Sequence, residues 1–437
     1  MSLAENPGDS PKLARRVAMR LLPPIVAAFL LNYLDRFNLS FAGLQMEDSL
    51  GLTAVGFGFA GSCFSIGYLL FQVPADFVLM RIGARRWLAL VAIGWGSVAC
   101  LTALVRTPVE LYAARFLLGV VEAGFVPAVV LYLSWWFPTR LRSQVVAVYG
   151  QSVPVAGIIG GPLAGWILTA FSHADEAEGW RALMVCEGIP SVLAGIWLFF
   201  VLPDQPESAP WLTPAEADQI SRSSTLRRGR PAAITLGQML RTLRCPAVWR
   251  LCLVYFLMVG GTFGITLWLP QFLRLPGWES PAVIGWLSAI PWLFGSLAIV
   301  VVSRFTDRRG AYAGVAAAGA LCSASALVAA SAVDNRWAAL ALMTIAVGAM
   351  LASTTAFWGL PPEILAGEHA AVGVPTVNAA GFAGALVSPV VIGWLASTPA
   401  KMGGGIAFCG VLLAGCALAL HSWRRHFRIA PDEPLRS

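Results

Sequence analysis

Charged side chains are scarce in this sequence. They make up 12% of its 437 residues, against 57% hydrophobic, which is about half the charged share of an ordinary soluble domain. A soluble protein of this size could not hide so much apolar surface in one core. With a mean hydropathy of +0.72, lipid must be the solvent for most of the chain. Histidine is scarcer still: His173, His369, His421 and His426 stand at the ends of apolar runs or between them. The eight cysteines (Cys63, Cys100, Cys186, Cys245, Cys252, Cys322, Cys409 and Cys416) include no CxxC pair and have no histidine at ligand spacing. They read as small core hydrophobes, not as disulfide partners or zinc ligands. The motifs HExxH, GxSxG and GxxxxGK[ST] are missing, so nothing points to an enzyme and ATP is not the direct energy source. No cofactor is implied. The net charge of +7 and pI of 9.2 do not indicate nucleic acid, because the basic residues scatter between apolar runs and form no recognition module. The first sixteen residues are polar and the run after them is too long for a signal-peptide core, so no cleavable leader is expected.

What the chain has in abundance is apolar runs of membrane-spanning length, about 20 residues each. Twelve are expected, at 22–45, 54–79, 86–105, 108–136, 143–171, 181–202, 247–272, 282–304, 312–332, 336–360, 370–397 and 402–423. An open sheet cannot survive in lipid, and these runs lack the apolar–polar alternation of a β-barrel. The expected fold is therefore an all-α membrane protein of 12 transmembrane helices. The glycines at 157, 160, 161 and 165 suit close helix packing.

Lysine and arginine set the orientation. Arg106, Arg181, Arg274, Arg336 and Lys401 fall on one side, and Arg36 and Arg115 lie within runs. The remaining 23 of 30 basic residues share the other side, which is read as cytoplasmic and holds both termini. The expected organisation is a tail at 1–21, a six-helix unit at 22–202, a cytoplasmic linker at 203–246, a second six-helix unit at 247–423 and a tail at 424–437. Within the linker, Thr213 and Pro214 read as the N-cap and first residue of a short surface helix to Arg222. The halves echo each other: Arg81-Ile-Gly-Ala-Arg85-Arg86 against Asp307-Arg308-Arg309-Gly310, and Gly161-Pro162 with Gly165-Trp166 against Ser388-Pro389 with Gly393-Trp394. Matching motifs in matching helices indicate a duplicated unit.

Within the runs, four charges stand out: Asp35 and Arg36 in the first, Arg115 and Glu122 in the fourth. A charge at such depth costs at least a few kcal/mol and usually faces a protein-lined or water-filled cavity. Asp35 and Arg36 are neighbours in sequence, so they point about 100° apart and need not pair with each other. Arg115 and Glu122, two turns apart, share a face with Gly119 between them. Each pair could be a structural ion pair or a working site. Among the polar or amphipathic groups in apolar runs, Tyr33, Tyr68, Gln151, Ser152, Trp358 and Asn378 are the specificity candidates, suited either to a ligand or to helix–helix hydrogen bonds.

The chain resembles the major facilitator superfamily, a fold of two pseudo-symmetric six-helix bundles. More narrowly it resembles the anion:cation symporter family of bacterial organic-acid permeases, related to sialin and the vesicular glutamate transporters. The residues that carry the likeness are Asn32-Tyr33-Leu34-Asp35-Arg36, the stretch from Arg115 to Pro127, Trp136-Phe137-Pro138, Leu202-Pro203-Asp204-Gln205-Pro206, Phe357-Trp358, Asn378 and Gly393-Trp394. The family's loop motif has Asp before the arginine after the second helix, where this chain has Met80, with Asp76 one turn earlier. The resemblance implies a proton-coupled importer of an organic carboxylate (a sugar acid, dicarboxylate or aromatic acid) in the bacterial cytoplasmic membrane, working as a monomer with the proton as coupling ion. It implies proton sites at Asp35 and Glu122, and substrate contacts at Arg36, Arg115, Tyr68, Gln151, Trp358 and Asn378. Arg81, Arg85, Asp307 and Arg308 would be gating residues, or ordinary positive-inside signals. Arginine suits a carboxylate because its planar fork binds two oxygens and stays charged. The rivals are an organic-anion exchanger without proton coupling and a transporter-like ligand sensor.

Overall fold

The computed structural model describes residues 11–172, 178–223, 236–274, 276–365, 368–397 and 402–423. Among these residues are twelve helical spans long and apolar enough to cross a membrane. The first half comprises α1 (Pro11–Leu50), α2 (Ala54–Ile82), α3 (Ala84–Thr102), α4 (Pro108–Glu122), α5 (Phe125–Trp136), α6 (Thr139–Gly150), α7 (Ser152–Ala170) and α8 (Gly179–Val201). The linker forms α9 (Pro214–Ser223) and α10 (Leu236–Arg244). The second half comprises α11 (Pro246–Leu273), α12 (Pro281–Arg309), α13 (Tyr312–Ala330), α14 (Arg336–Phe357), α15 (Leu360–Ile364), α16 (Glu368–Leu395) and α17 (Met402–Trp423).

The expected helices are present, with one marked difference at the start. The first begins at Pro11, not at residue 22, and runs unbroken through Pro23 and Pro24. Leu13, Val17, Leu21 and Ile25, each one turn apart, are all buried, so an amphipathic extension packs on the bundle ahead of the apolar stretch. Its polar face hides it from a reading by hydropathy alone. In the linker, Thr213 caps α9: its hydroxyl accepts from the Glu216 amide at 3.3 Å, and the Glu216 carboxylate accepts from the Thr213 amide at 3.0 Å. The first linker half is strapped to the first bundle. Arg16 pairs with Glu216, Trp211 stacks on Trp136 with centroids 5.8 Å apart, and Tyr132 donates to the Pro203 carbonyl at 2.9 Å. The backbone bond from Thr213, followed by Arg16, holds the exposed Glu216 carboxyl below its usual range. α10 packs on α16, with Thr242 3.0 Å from His369. Four of the cysteines are buried as expected (Cys63, Cys252, Cys409 and Cys416), but Cys186 and Cys322 face outward with Phe200, Trp166 and Leu418.

Each bundle has an apolar core of its own. A third core crosses the boundary between bundles, with Phe41 and Phe57 from one side and Trp268, Phe272 and Trp292 from the other. Three helix pairs meet there: α1 with α11, α2 with α16 and α7 with α12. The crossing lies at the end where α1 finishes. Ser40 donates to the Leu267 carbonyl at 2.7 Å, Ser62 to the Leu386 carbonyl at 2.6 Å and Gln271 to the Ser40 carbonyl at 3.3 Å. Phe37 packs on Trp292 and Phe57 on Trp268, at 5.0 and 5.1 Å. The glycine motif of the fifth span works here between bundles. A Cβ on Gly161 would stand 2.5 Å from the Gly285 carbonyl oxygen, so α7 and α12 touch backbone to backbone. The molecule is thus closed at the end remote from its linker.

Filling that contact should loosen the closure. Overpacking costs about 1–3 kcal/mol, so Gly161→Val should raise the open population roughly tenfold. Thiol labelling of a Ser40→Cys probe by a polar maleimide should then speed up by a similar factor in the G161V background. Unchanged labelling would contradict this seal.

Candidate functional site

Three spans are interrupted, and the sequence says why. α4 gives way to α5 at Ala123–Gly124, α6 to α7 at Gln151, and α14 to α15 at Trp358–Gly359. Each break lies three or four residues before a proline (Pro127, Pro154, Pro361 and Pro362), where the ring removes a hydrogen bond and crowds the carbonyl one turn back. Glu122 ends α4, Gln151 is the break residue between α6 and α7, and Trp358 caps α14. Three expected site residues therefore stand at interruptions, and non-helical backbone at membrane depth is tolerated only where it is buried in protein or lines a cavity.

α1 presents two polar faces to different neighbours. On the first, Asn32 and Arg36 are one turn apart and converge on Glu122: Arg36 Nε donates to Glu122 Oε2 at 2.7 Å and Asn32 Nδ2 to the same oxygen at 2.9 Å. Glu122 is wholly buried and the Arg36 side chain is 14% exposed. The Arg36 guanidinium lies 5.2–5.5 Å from the rings of Tyr33, Phe64 and Tyr68, within range for cation–π attraction. On the second face, Asp35 accepts from Asn38 Nδ2 at 2.8 Å. Asp35 and Arg36 do not pair with each other, and this separation is what the 100° step of a helix allows.

Arg115 is buried, with its guanidinium over Phe64 at 5.4 Å and within electrostatic reach of Asp35 and Glu122. Gly119, between Arg115 and Glu122, admits the backbone of α2 at Phe64 and Tyr68. Its role is close packing of helices.

This centre carries a concentration of unsatisfied polar atoms. Arg36 Nη2, Glu122 Oε1, Arg115 Nε, Asp35 Oδ2 and Asn32 Oδ1 are buried without a hydrogen-bond partner in the protein. Each such group costs roughly 1–3 kcal/mol, more if charged, so a cluster of them requires an explanation such as a ligand.

The second bundle answers with aromatics. Phe382 stacks on Tyr68 across the boundary at 4.1 Å. Asn378 stands one turn before Phe382 on the same face of α16 and is partly buried, so it points the same way. Tyr255 stacks on Phe357 at 4.9 Å and meets the Trp358 ring edge-on at 5.0 Å, within electrostatic reach of Tyr33 and Tyr68. The residues drawn together between the bundles are thus Arg36, Glu122, Tyr33, Tyr68, Tyr255, Trp358 and Phe382.

The gating candidates lie elsewhere, toward the linker end. Arg81 and Arg308 are exposed. Arg85 pairs with Asp204 at 3.3 Å and sits over Phe199 at 5.1 Å, so it ties the linker to the first bundle in this state. The Asp307 side chain lies outside the described residues. Asp76 buries one carboxylate oxygen without a partner.

Tyr255, Phe382, Asn38 and Glu187 were not singled out from sequence. The aromatics carry no mark that separates them from core residues. Glu187 does carry one, a lone carboxyl in an apolar run. It sits on α8, 4% exposed, with Oε2 unpartnered and with Asp35 and Asn38 as its polar neighbours.

The family model of the Major Facilitator Superfamily matches residues 25–389. Among curated proteins, one named "Putative tartrate transporter" from Agrobacterium vitis is 34% identical over 411 residues, covering 94% of this chain and 91% of that one. A quinolone resistance transporter from Acinetobacter baumannii is 32% identical over 399 residues, covering 91% and 92%. Among solved structures, a bacterial homologue of the human lysosomal transporter Spinster, in an inward-facing and occupied conformation, superposes with a TM-score of 0.74 at 18% identity, covering 94% of this chain and 98% of that one. The duplicated six-helix bundles, the closure at one end and these matches together make the chain a member of the major facilitator superfamily, a membrane transporter and not an enzyme.

Proposed function

We propose that the protein is a proton-coupled symporter that imports an organic carboxylate across the bacterial cytoplasmic membrane, as a monomer with both termini and the linker in the cytoplasm. The observation that carries this reading is the Arg36–Glu122 pair. A half-buried guanidinium bonds one carboxylate oxygen through Nε, while its buried Nη2 and the other carboxylate oxygen have no partner. A substrate carboxylate can take the fork of Arg36 and displace Glu122 from it. Glu122, left in a buried site without its counter-charge, then takes a proton, so substrate and proton enter the centre together. When both leave, Glu122 re-forms its pair with Arg36. Coupling in this scheme is competition for one guanidinium. Arg115 and Asp35 balance charge beside it, and Tyr68, Gln151, Trp358 and Asn378 shape the substrate's contacts.

With the arginine-rich linker end in the cytoplasm, as the positive-inside bias supports, the closed end is external and this state opens inward. Arg81, Arg85, Asp307 and Arg308 would then make their gating contacts when the linker end closes. The name of the Agrobacterium relative supports a small hydroxy-dicarboxylate, and the rings around Trp358 support a flat or aromatic acid. The relative named for quinolone resistance favours a second reading, in which the same centre exports an aromatic substrate.

The test is uptake of radiolabelled tartrate, a hexonate and an aromatic monocarboxylate into proteoliposomes, with and without an imposed proton gradient. Accumulation of one of them should require the gradient. Uptake indifferent to it would replace symport by exchange, and no uptake of any carboxylate would remove the substrate class.

A further inference from the structure

Two arginines and three carboxyls lie within one neighbourhood of the first bundle, the half-buried Arg36 and the buried Arg115 with Asp35, Glu122 and Glu187, all three buried. The third carboxyl is not used by the scheme above. Glu187 is on α8, eight residues after Gly179, so it lies about 12 Å along the helix from the closed end. Around it pack α1, α3 and α7. The titratable and charged groups they turn toward it are Asp35 from α1 and Cys100 from α3, and α7 brings none; Arg36 turns to Glu122 instead. Arg115 and Glu122 on α4 lie beyond Asp35. No ion pair reaches Glu187 among the described residues. Its polar neighbour is Asn38, whose Nδ2 donates to Asp35, and both Asp35 Oδ2 and Glu187 Oε2 are buried without partners.

Net charge, and where the two cations stand, decide what such a cluster holds. With all three carboxyls ionised, the five groups carry a net charge of −1 in a buried setting, which is unfavourable. One proton makes the cluster neutral. Glu122 has Arg36 at 2.7 Å and two donors on one oxygen, so it is the best-compensated carboxylate of the three. Asp35 has Arg115 and, more weakly, Arg36 within electrostatic reach, and neither arginine stands beside Glu187.

We propose that Glu187 is a third proton-bearing carboxyl, sharing one proton with Asp35 across Asn38 on the side of the site that faces the closed end. Transfer breaks the O–H bond at Glu187 and forms one at Asp35, leaving Glu187 as the carboxylate. The Asn38 amide keeps its protons and moves its donated hydrogen bond to whichever carboxyl is ionised. The pair titrates as a unit, and it stores a proton beside the Arg36–Glu122 centre even when that pair is intact. The role given to this proton in transport rests on the symport reading above. Its presence does not.

Infrared spectroscopy of the full-length protein reconstituted in lipid separates the two. A protonated carboxyl gives a carbonyl stretch distinct from the carboxylate bands. The wild type at neutral pH should show such a band, and Glu187→Gln should lose it, because Asp35 then remains as a carboxylate facing Arg115. Asp35→Asn should keep it, and so should Glu122→Gln: neither variant places a cation beside the buried Glu187, so its carboxyl stays neutral even where the net charge of the cluster no longer requires a proton. Asn38→Leu, a milder change, should shift the band without removing it. A wild type with no band, a band that survives in E187Q at full intensity, or one lost only in E122Q would each overturn the proposal. Because the reading needs no transport, a failure of gradient-driven uptake would leave it standing and would fall on the symport reading alone.

Discussion

Arg36→Ala should abolish high-affinity binding of the transported carboxylate. Truncating one partner of a buried, hydrogen-bonded charge pair costs about 2–5 kcal/mol, roughly 30-fold to several-thousand-fold in Kd. Two losses combine in this variant. The substrate loses a guanidinium that presents a free Nη2 beside a carboxyl able to take a proton, and Glu122 is left in the bundle interior with Asn32 as its one donor among the described residues. Arg36→Lys separates them. It keeps the positive charge near Glu122 but loses the planar fork, so it should retain fold stability and recover part of the affinity. Binding measured by the substrate's effect on thermal unfolding, alongside calorimetry on the detergent-solubilised protein, reads both quantities. If R36A binds as tightly as the wild type, the anion site lies elsewhere and Arg115, with its unpartnered Nε, is the next candidate.

The second large effect concerns Glu122. A glutamine there keeps the shape and an acceptor oxygen for Arg36 and Asn32 but cannot gain or lose a proton. The variant should therefore resemble a transporter fixed in its protonated form. Exchange of external for internal labelled substrate should continue at a rate near that of the wild type, because binding and rocking remain possible. Accumulation against a substrate gradient should fall to the level of equilibration, whatever proton gradient is imposed. Accumulation that persists in Glu122→Gln would remove this residue from coupling and leave Asp35 and Glu187 as the proton carriers. The pair of assays matters because a misfolded variant would lose both activities, whereas the account predicts loss of only one.

Much of this architecture is legible in the sequence because lipid leaves so few options. Runs of about 20 apolar residues must be helices, and the arginine bias between them suggests which ends lie together. Charges within the runs announce themselves by their cost, and so Asp35, Arg36, Arg115 and Glu122 could be named before any coordinates. What periodicity could not supply is partnership. Arg36 is adjacent to Asp35 in sequence yet bonds to Glu122, 86 positions away, because neighbouring residues on a helix face different helices. The glycines of the fifth span suggest close packing, but only the fold shows that their partner is Gly285 in the other bundle. The start of α1 at Pro11 was hidden by Lys12, Arg15, Arg16 and Arg20, which alternate with the buried Leu13, Val17 and Leu21. The helix breaks at Gly124, Gln151 and Gly359 were written in the prolines that follow them. Glu187 meets the same criterion as the other buried charges, a carboxyl inside an apolar run, but the arginine of that run, Arg181, stands at its outer end and bonds there to Glu178 and the Ala103 and Val105 carbonyls.

The central claim is that a carboxylate entering this centre takes Arg36 from Glu122 and brings a proton with it. Proton uptake on binding measures that step without any membrane. Purified protein in weakly buffered detergent solution near neutral pH is mixed with the substrate found in the uptake assay, at matched pH, and the pH change is followed with an indicator dye. The account predicts alkalinisation on binding in the wild type and its loss in Glu122→Gln with affinity preserved. Substrate binding to the wild type with no change in pH would contradict it.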